Sequence, residues 1–197
     1  MANVSKFDRA DVLEKATQLF WERGYIGTST RELQSALDMR PGSIYAAFGS
    51  KADLFATVLN HYAQALTEQL NTQVMNNANA LQAFQQLLHD LVLCPNNTRP
   101  SEMCMLAKTL AELDESHSEI LSLVRTLLNQ VEARFADVFT KAKEQGNLPA
   151  GTDVVAAAKT LQISIIGWRS YLKATRDTQV VEQQIEQLFQ QLTHPIH

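Results

Sequence analysis

Cysteine, glycine and proline are all scarce in this 197-residue chain, at two, seven and five. Cys94 and Cys104 allow at most one bridge, so the chain is no disulfide framework, and a reducing compartment keeps both as thiols. Glycine and proline fall almost entirely between stretches of helical periodicity, and no run of β-branched residues alternates with polar ones. An all-α fold is expected. Long apolar runs are missing too. The stretch VVAAAKTLQISIIGW at 154–168 is broken by Lys159, Gln162 and Ser164, and the opening MANVSKFDRAD lacks the apolar centre of an export signal. The expectation is a cytoplasmic protein with no membrane segment. A basic excess is also absent: the formal net charge is -4. Residues 1–55 carry seven Lys and Arg against seven Asp and Glu, so the whole acidic excess lies beyond them.

Catalytic and metal-binding patterns are missing as well. There is no pair of Glu-x-x-His motifs, no Gly-rich phosphate loop, no Cys-x-x-Cys and no Ser-His-Asp set with local context. Asp114 and His117 are three apart, but they sit in the turn AELDESHSEI. A protein without catalytic activity, cofactor or metal is expected. An enzyme and a helical protein-binding adaptor are the competing classes: the first lacks its motifs here, and the second does not require the constellation at residues 28–51.

What the chain does have is punctuation. Asp8 starts a first helix that carries Val12, Leu13, Ala16, Leu19 and Phe20 on its apolar stripe and stops at Gly24. Ser29 and Glu32 have the spacing of a capping box for a second helix ending near Leu37. Pro41 suits the first turn of a third, which reaches about Phe48, and Ser50 with Asp53 opens a fourth. Longer helices are predicted at about 79–93, 101–112, 117–145, 153–174 and 178–192, separated by CPNNTRP, DES, GNLPAG and RD turns.

Only Asp38, Met39 and Arg40 join the second and third helices, which is the spacing of a helix-turn-helix. In the third helix, Ile44 and Phe48 are four apart and predicted to pack against Leu33 and Leu37. Gly42 and Ser43 keep its first turn bare, so backbone N–H groups without helical partners can meet phosphate oxygens. Tyr45 and Ala46 then face outward, where a hydroxyl can bond a phosphate and a methyl can touch a thymine. Arg40 joins them on the same local geometry.

The stretch from Val12 to Phe55 resembles the DNA-binding region of the tetracycline-repressor (TetR) family. The matching elements are A..LF...GY..TS at Ala16 to Ser29, Arg31-x-Leu33, GSIY..F at Gly42 to Phe48, and SK..LF at Ser50 to Phe55. Two departures stand out: the family's turn usually has glycine where Asp38 stands, implying a left-handed backbone there, and Pro41 preceded by Arg40 replaces the usual basic residue before Gly42. The resemblance implies a helix-turn-helix DNA-binding domain at residues 1–50 and a larger helical ligand-binding and dimerisation domain at residues 51–197. It also implies a homodimer that binds a double-stranded DNA operator and is released by a small-molecule inducer. Thr28, Thr30, Arg31, Gly42, Ser43, Tyr45 and Lys51 match family residues that touch DNA, with Tyr45 and Lys51 assigned to phosphates.

The remaining sites depend on the same resemblance. Val154, Ala158, Leu161, Ile165, Trp168 and Leu172 recur at steps of four, three, four, three and four, while Val155, Ala157, Ile163 and Ile166 make the opposite side apolar as well. A helix apolar nearly all round needs cover on two sides, and a second copy of the chain can supply one of them. The first stripe, continued by Val181, Ile185, Leu188 and Leu192, is taken as the dimer interface. Tyr62, Phe84, Leu88, Met103, Cys104, Met105 and Trp168 are candidate walls of the ligand pocket. Cys104 has two readings, an electrophile sensor or a small buried apolar residue.

Overall fold

The structure is a computed structural model and describes residues 8–93 and 100–194. Among the described residues it contains nine α-helices: α1 (Arg9–Arg23), α2 (Thr30–Leu37), α3 (Pro41–Phe48), α4 (Lys51–Gln69), α5 (Ala80–Leu93), α6 (Met105–Glu112), α7 (Ser118–Glu144), α8 (Val154–Thr175) and α9 (Thr178–Thr193). There are no strands among them. Nor is any helix among these residues long and apolar enough to cross a membrane.

The helix ends are where the local chemistry puts them. The Asp8 carboxylate accepts from Ala10 N–H, and Gly24 ends α1 at φ 82 by donating its N–H to Phe20 O. Ser29 and Glu32 form the reciprocal box at the start of α2. Ser50 and Asp53 do the same before α4: Ser50 N–H donates to Asp53 Oδ2 at 2.8 Å and Asp53 N–H to Ser50 Oγ at 3.1 Å. The predicted start of the sixth helix at residue 101 is corrected to Met105. Ser101 Oγ takes the Met103 N–H at 3.3 Å, a local bond that competes with helix formation. Beyond α4 the helix widens into a π-turn at Leu70–Met75, which buries both Leu70 and Val74.

The chain forms two compact units. The first comprises residues up to Gln64 together with Met105–Leu127. It extends past the expected boundary at residue 50 because Phe55 packs on Phe20, ring centroids 4.8 Å apart, and Leu54, Val58 and Leu59 are fully buried beside it. The second comprises Ala65–Cys104 and residues from Leu128 onward. At its centre Phe84 meets Phe135, Phe139 and Phe189 at 5.4, 5.6 and 6.2 Å.

One expectation changes in the second unit. The stripe assigned to dimerisation faces the unit's own core: Ala158, Leu161, Trp168, Leu172, Val181 and Ile185 are buried there, with Val154, Ile165, Leu188 and Leu192 packed partly against them. On the opposite side of α8 Ala157 is buried and Ile166 partly so, while Val155 and Ile163 are exposed at 58% and 66%, with Tyr171 and, on α9, Val180 also exposed. Of the candidate ligand walls, Tyr62 and Met105 belong to the first unit, where Tyr62 meets Trp21 edge-on, and Phe84, Leu88 and Trp168 belong to the buried core of the second. Met103 and Cys104 are partly exposed. A shallow cleft of about 380 Å³ in that unit is walled by Asn79, Gln82, Gln85, Asn147, Glu186 and Gln190 among others. Cys94 lies outside the described residues.

Candidate nucleic-acid interface

The interface is built on α2, α3 and the start of α4. Leu33, Leu37, Ile44 and Phe48 are all buried, which fixes α3 against α2 as the i, i+4 spacing predicts. Asp38 takes the left-handed conformation at φ 50, ψ 43, so the turn keeps the shape that a glycine would give at a small cost. Arg9 braces the far end of α3: its guanidinium lies 4.6 Å above the Phe48 ring and donates to Ala47 O at 3.3 Å.

Arg31, Arg40, Gly42, Ser43 and Ala46 are exposed, and Thr30, Tyr45 and Lys51 are partly buried. Thr28 is a correction: it is completely buried, and its hydroxyl donates to Gly24 O at 2.7 Å, so its side chain serves the α1–α2 turn and presents no surface. The hydroxyls of Thr30 and Tyr45 lie 2.9 Å apart. One donates to the other, so the pair has one O–H left to offer outward, from a tyrosine whose position is tied to the first turn of α2.

Gly42 is informative by what surrounds it. A Cβ placed there would meet nothing within 4 Å, and the position has no positive φ. The fold itself does not require glycine, although glycine costs a helix about 1 kcal/mol relative to alanine. Pro41 brings no N–H, and the N–H groups of Ser43 and Ile44 both turn back to Arg40 O at 2.9 and 3.1 Å. The bare backbone at Gly42 is therefore suited to a surface that approaches from outside.

The neutral charge count of this region hides an asymmetry. Glu32 accepts from Ser29 N–H and from Arg23 Nη1 at 2.5 Å, and the Ser29 bonds hold its carboxyl below the usual carboxylate range. Asp53 is likewise lowered by its bonds to Ser50, and Asp8 caps α1. These acids are engaged in fixing helix ends, whereas Arg31 and Arg40 project.

Lys51 has an environment that its sequence neighbours do not reveal. Its ammonium lies 4.5 Å over the centroid of the Tyr25 ring. Burial pulls the lysine below its usual pKa, opposed by the Glu112 and Glu32 carboxylates, and burial followed by Tyr45 pushes the Tyr25 phenol up. Tyr25 is itself held on several sides: by Phe55 at 5.0 Å, by the edge of His117 at 5.4 Å, and by α6, where Glu112 Oε2 accepts Tyr25 N–H at 2.9 Å. Glu112 Oε1 accepts Ile26 N–H at 2.7 Å, and Lys108, one turn earlier, donates to Trp21 O and Glu22 O at 2.9 and 2.7 Å. A side chain at Gly24 would collide with the Glu112 carboxylate. Sequence reasoning missed Arg9, Tyr25, Lys108 and Glu112. The available signal was a Lys and a Glu four apart in the largely apolar MCMLAKTLAEL.

Residues 12–58 match the family described as bacterial regulatory proteins, tetR family, and residues 78–188 match the tetracyclin repressor-like C-terminal domain. The chain is 25% identical over 187 residues to the HTH-type transcriptional regulator YezE of Bacillus subtilis, covering 94% of this chain and 96% of that protein. It is 24% identical over 162 residues to the HTH-type transcriptional repressor ComR of Escherichia coli, covering 82% and 77%. Its fold matches a cysteine mutant of the TetR family transcriptional regulator CifR, complexed with 26bp double-strand operator DNA, at TM-score 0.80 and 24% identity over 93% of this chain and 96% of the other.

Proposed function

The chain belongs to the TetR family and is a helix-turn-helix transcriptional regulator, and we propose that it is a repressor that grips a palindromic operator as a homodimer and releases it when a small molecule binds. The observation that carries this reading is the bare, outward-facing first turn of α3 at Gly42. ComR, a similar protein, is a repressor, and CifR, a neighbour in fold, holds operator DNA. In this reading residues 1–50 bind DNA through Thr30, Arg31, Arg40, Gly42, Ser43, Tyr45 and Ala46, joined at the interface by Lys51 from the start of α4. Residues 51–197 dimerise and take the inducer. The protein then works in the cytoplasm, where its operator is.

Each subunit lays α3 in the major groove of one half-site, the two centres about 34–36 Å apart or a multiple of that. The exposed side of α8 supplies the contact between copies. Val155, Ile163 and Tyr171 are apolar and open, and a Cβ at Gly167 among them would meet nothing within 4 Å, so a second helix has room to approach closely. An inducer that prefers a dimer with differently spaced α3 helices releases DNA through that preference, typically about 1–3 kcal/mol.

The test is fluorescence anisotropy with duplexes tiled across the DNA upstream of the gene for this chain. One tile is expected to bind at least ~10³-fold more tightly than random duplex at physiological salt, with two protomers per site. Equal affinity for every tile and for random DNA overturns the operator reading. A second measurement concerns Cys104, which is partly exposed and not fully buried. Brief alkylation of the native protein is expected to label it, and Cys104→Ser should change stability by less than about 1 kcal/mol. Slow labelling restores the packing reading. Operator affinity measured before and after labelling decides the sensor reading.

A further inference from the structure

We propose that Tyr25 is a positioning residue for Lys51: its ring holds the lysine ammonium at the place where it meets a DNA phosphate, and Glu112 on α6 holds Tyr25 there. The proposal rests on the phosphate role given to Lys51 above. A lysine side chain has four rotatable bonds, and an ammonium free to sample them must be ordered when the phosphate arrives. Here the ammonium is already settled 4.5 Å over an aromatic face, and that contact leaves N–H donors for an incoming anion. Burial and the neighbouring Tyr45 keep the Tyr25 phenol protonated, so the ring stays neutral and its face attractive to a cation. The Glu112 and Glu32 carboxylates oppose the effect of burial on Lys51 and favour its charged form.

The ring is immobilised from outside its own segment. Phe55 packs against it, His117 meets it edge-on, and the Tyr25 N–H is bound to Glu112. Glu112 also takes the next N–H, of Ile26, while Lys108 binds the last carbonyls of α1. The pair thus clamps the turn from both sides of Gly24, where φ is 82 and no side chain fits beneath the carboxylate. Core packing alone explains a partly buried aromatic. It does not explain why the ammonium of a half-buried lysine, the first residue of α4, sits over the ring.

The experiment is the salt dependence of binding to a random-sequence duplex, read as the slope of log K against log[KCl] for the full-length protein. Lys51→Ala is expected to reduce the slope by about one per protomer. Tyr25→Leu should reduce it equally, the double variant no further, and Tyr25→Phe, which keeps the ring, should retain the wild-type slope. A merely structural tyrosine would lower the melting temperature and the folded fraction without changing the slope. If Lys51→Ala leaves the slope intact, the phosphate reading itself falls and this proposal with it. If Lys51→Ala lowers it and Tyr25→Leu does not, only the positioning role is overturned. If Tyr25→Phe behaves as Lys51→Ala does, the hydroxyl is the contact and the ring is not. Should Tyr25→Leu fail to fold, NMR of the wild type and Tyr25→Phe decides. Upfield-shifted Lys51 ε-methylene protons in both support the stack, and ordinary shifts overturn it.

Discussion

Ile163→Glu is expected to give a folded monomer that no longer holds a palindromic site, whereas Leu161→Glu, two residues away, is expected to unfold the C-terminal unit. Ile163 is 66% exposed on α8, while Leu161 is completely buried in the aromatic-centred core. In a twofold interface each substitution occurs twice, so two carboxylates lose water together without partners. The dimer dissociation constant should rise by ~100-fold or more, with little change in melting temperature. At Leu161 the same carboxylate enters the core of its own chain, at a cost on the order of 3–5 kcal/mol, a large fraction of the stability of a domain this size. Sedimentation velocity with circular dichroism on both variants separates the cases. An Ile163→Glu protein that still sediments as a dimer removes this face of α8 from the interface.

The difference between these two leucine-like neighbours shows what was legible in the sequence. The start of α2 and the start of α3 were, because their causes are local: the box of Ser29 and Glu32 and Pro41 in the first turn are each decided within four residues, while the left-handed Asp38 followed from the family resemblance. The inward pair Ile44 and Phe48 was legible for the same reason. The assignment of α8 faces was not. A helix with apolar residues on both sides has two stripes, and the 4-3-4-3-4 pattern does not say which one the chain covers itself. That depends on α9, which folds back on α8 directly after it, and on α5 from a distant part of the sequence. Thr28 failed similarly: the hydroxyl looked available until the bond to Gly24 O formed behind it. The setting of Lys51 was out of reach altogether, because Tyr25 is 26 positions before it and Glu112 is 61 after. Only the folded first unit brings the three together.

Gly42→Leu is expected to weaken operator binding by ~100-fold or more in a protein that is at least as stable as the wild type. A Cβ at this position meets nothing in the chain, and the backbone there is ordinary helix, so leucine introduces no clash and no strain. Its higher helix propensity should instead add up to about 1 kcal/mol to stability at this solvent-facing turn. The cost falls entirely on the complex. Leucine stands between the first-turn backbone and the phosphate or base edge that the bare turn admits, and its bulk pushes α3 away from the groove. Contacts from Ser43, Tyr45 and Ala46 are then lost together, because all four residues belong to one rigid helix braced by Arg9 and Phe48. A loss of ~100-fold or more, about 3 kcal/mol, is expected for specific duplex. Gly42→Ala should fall between, since a single methyl intrudes less. Anisotropy titration paired with thermal melting checks both halves of the claim: a Gly42→Leu protein with wild-type operator affinity would mean that the first turn of α3 does not face DNA. A protein that loses binding only because it melts lower would mean that the glycine serves the fold after all.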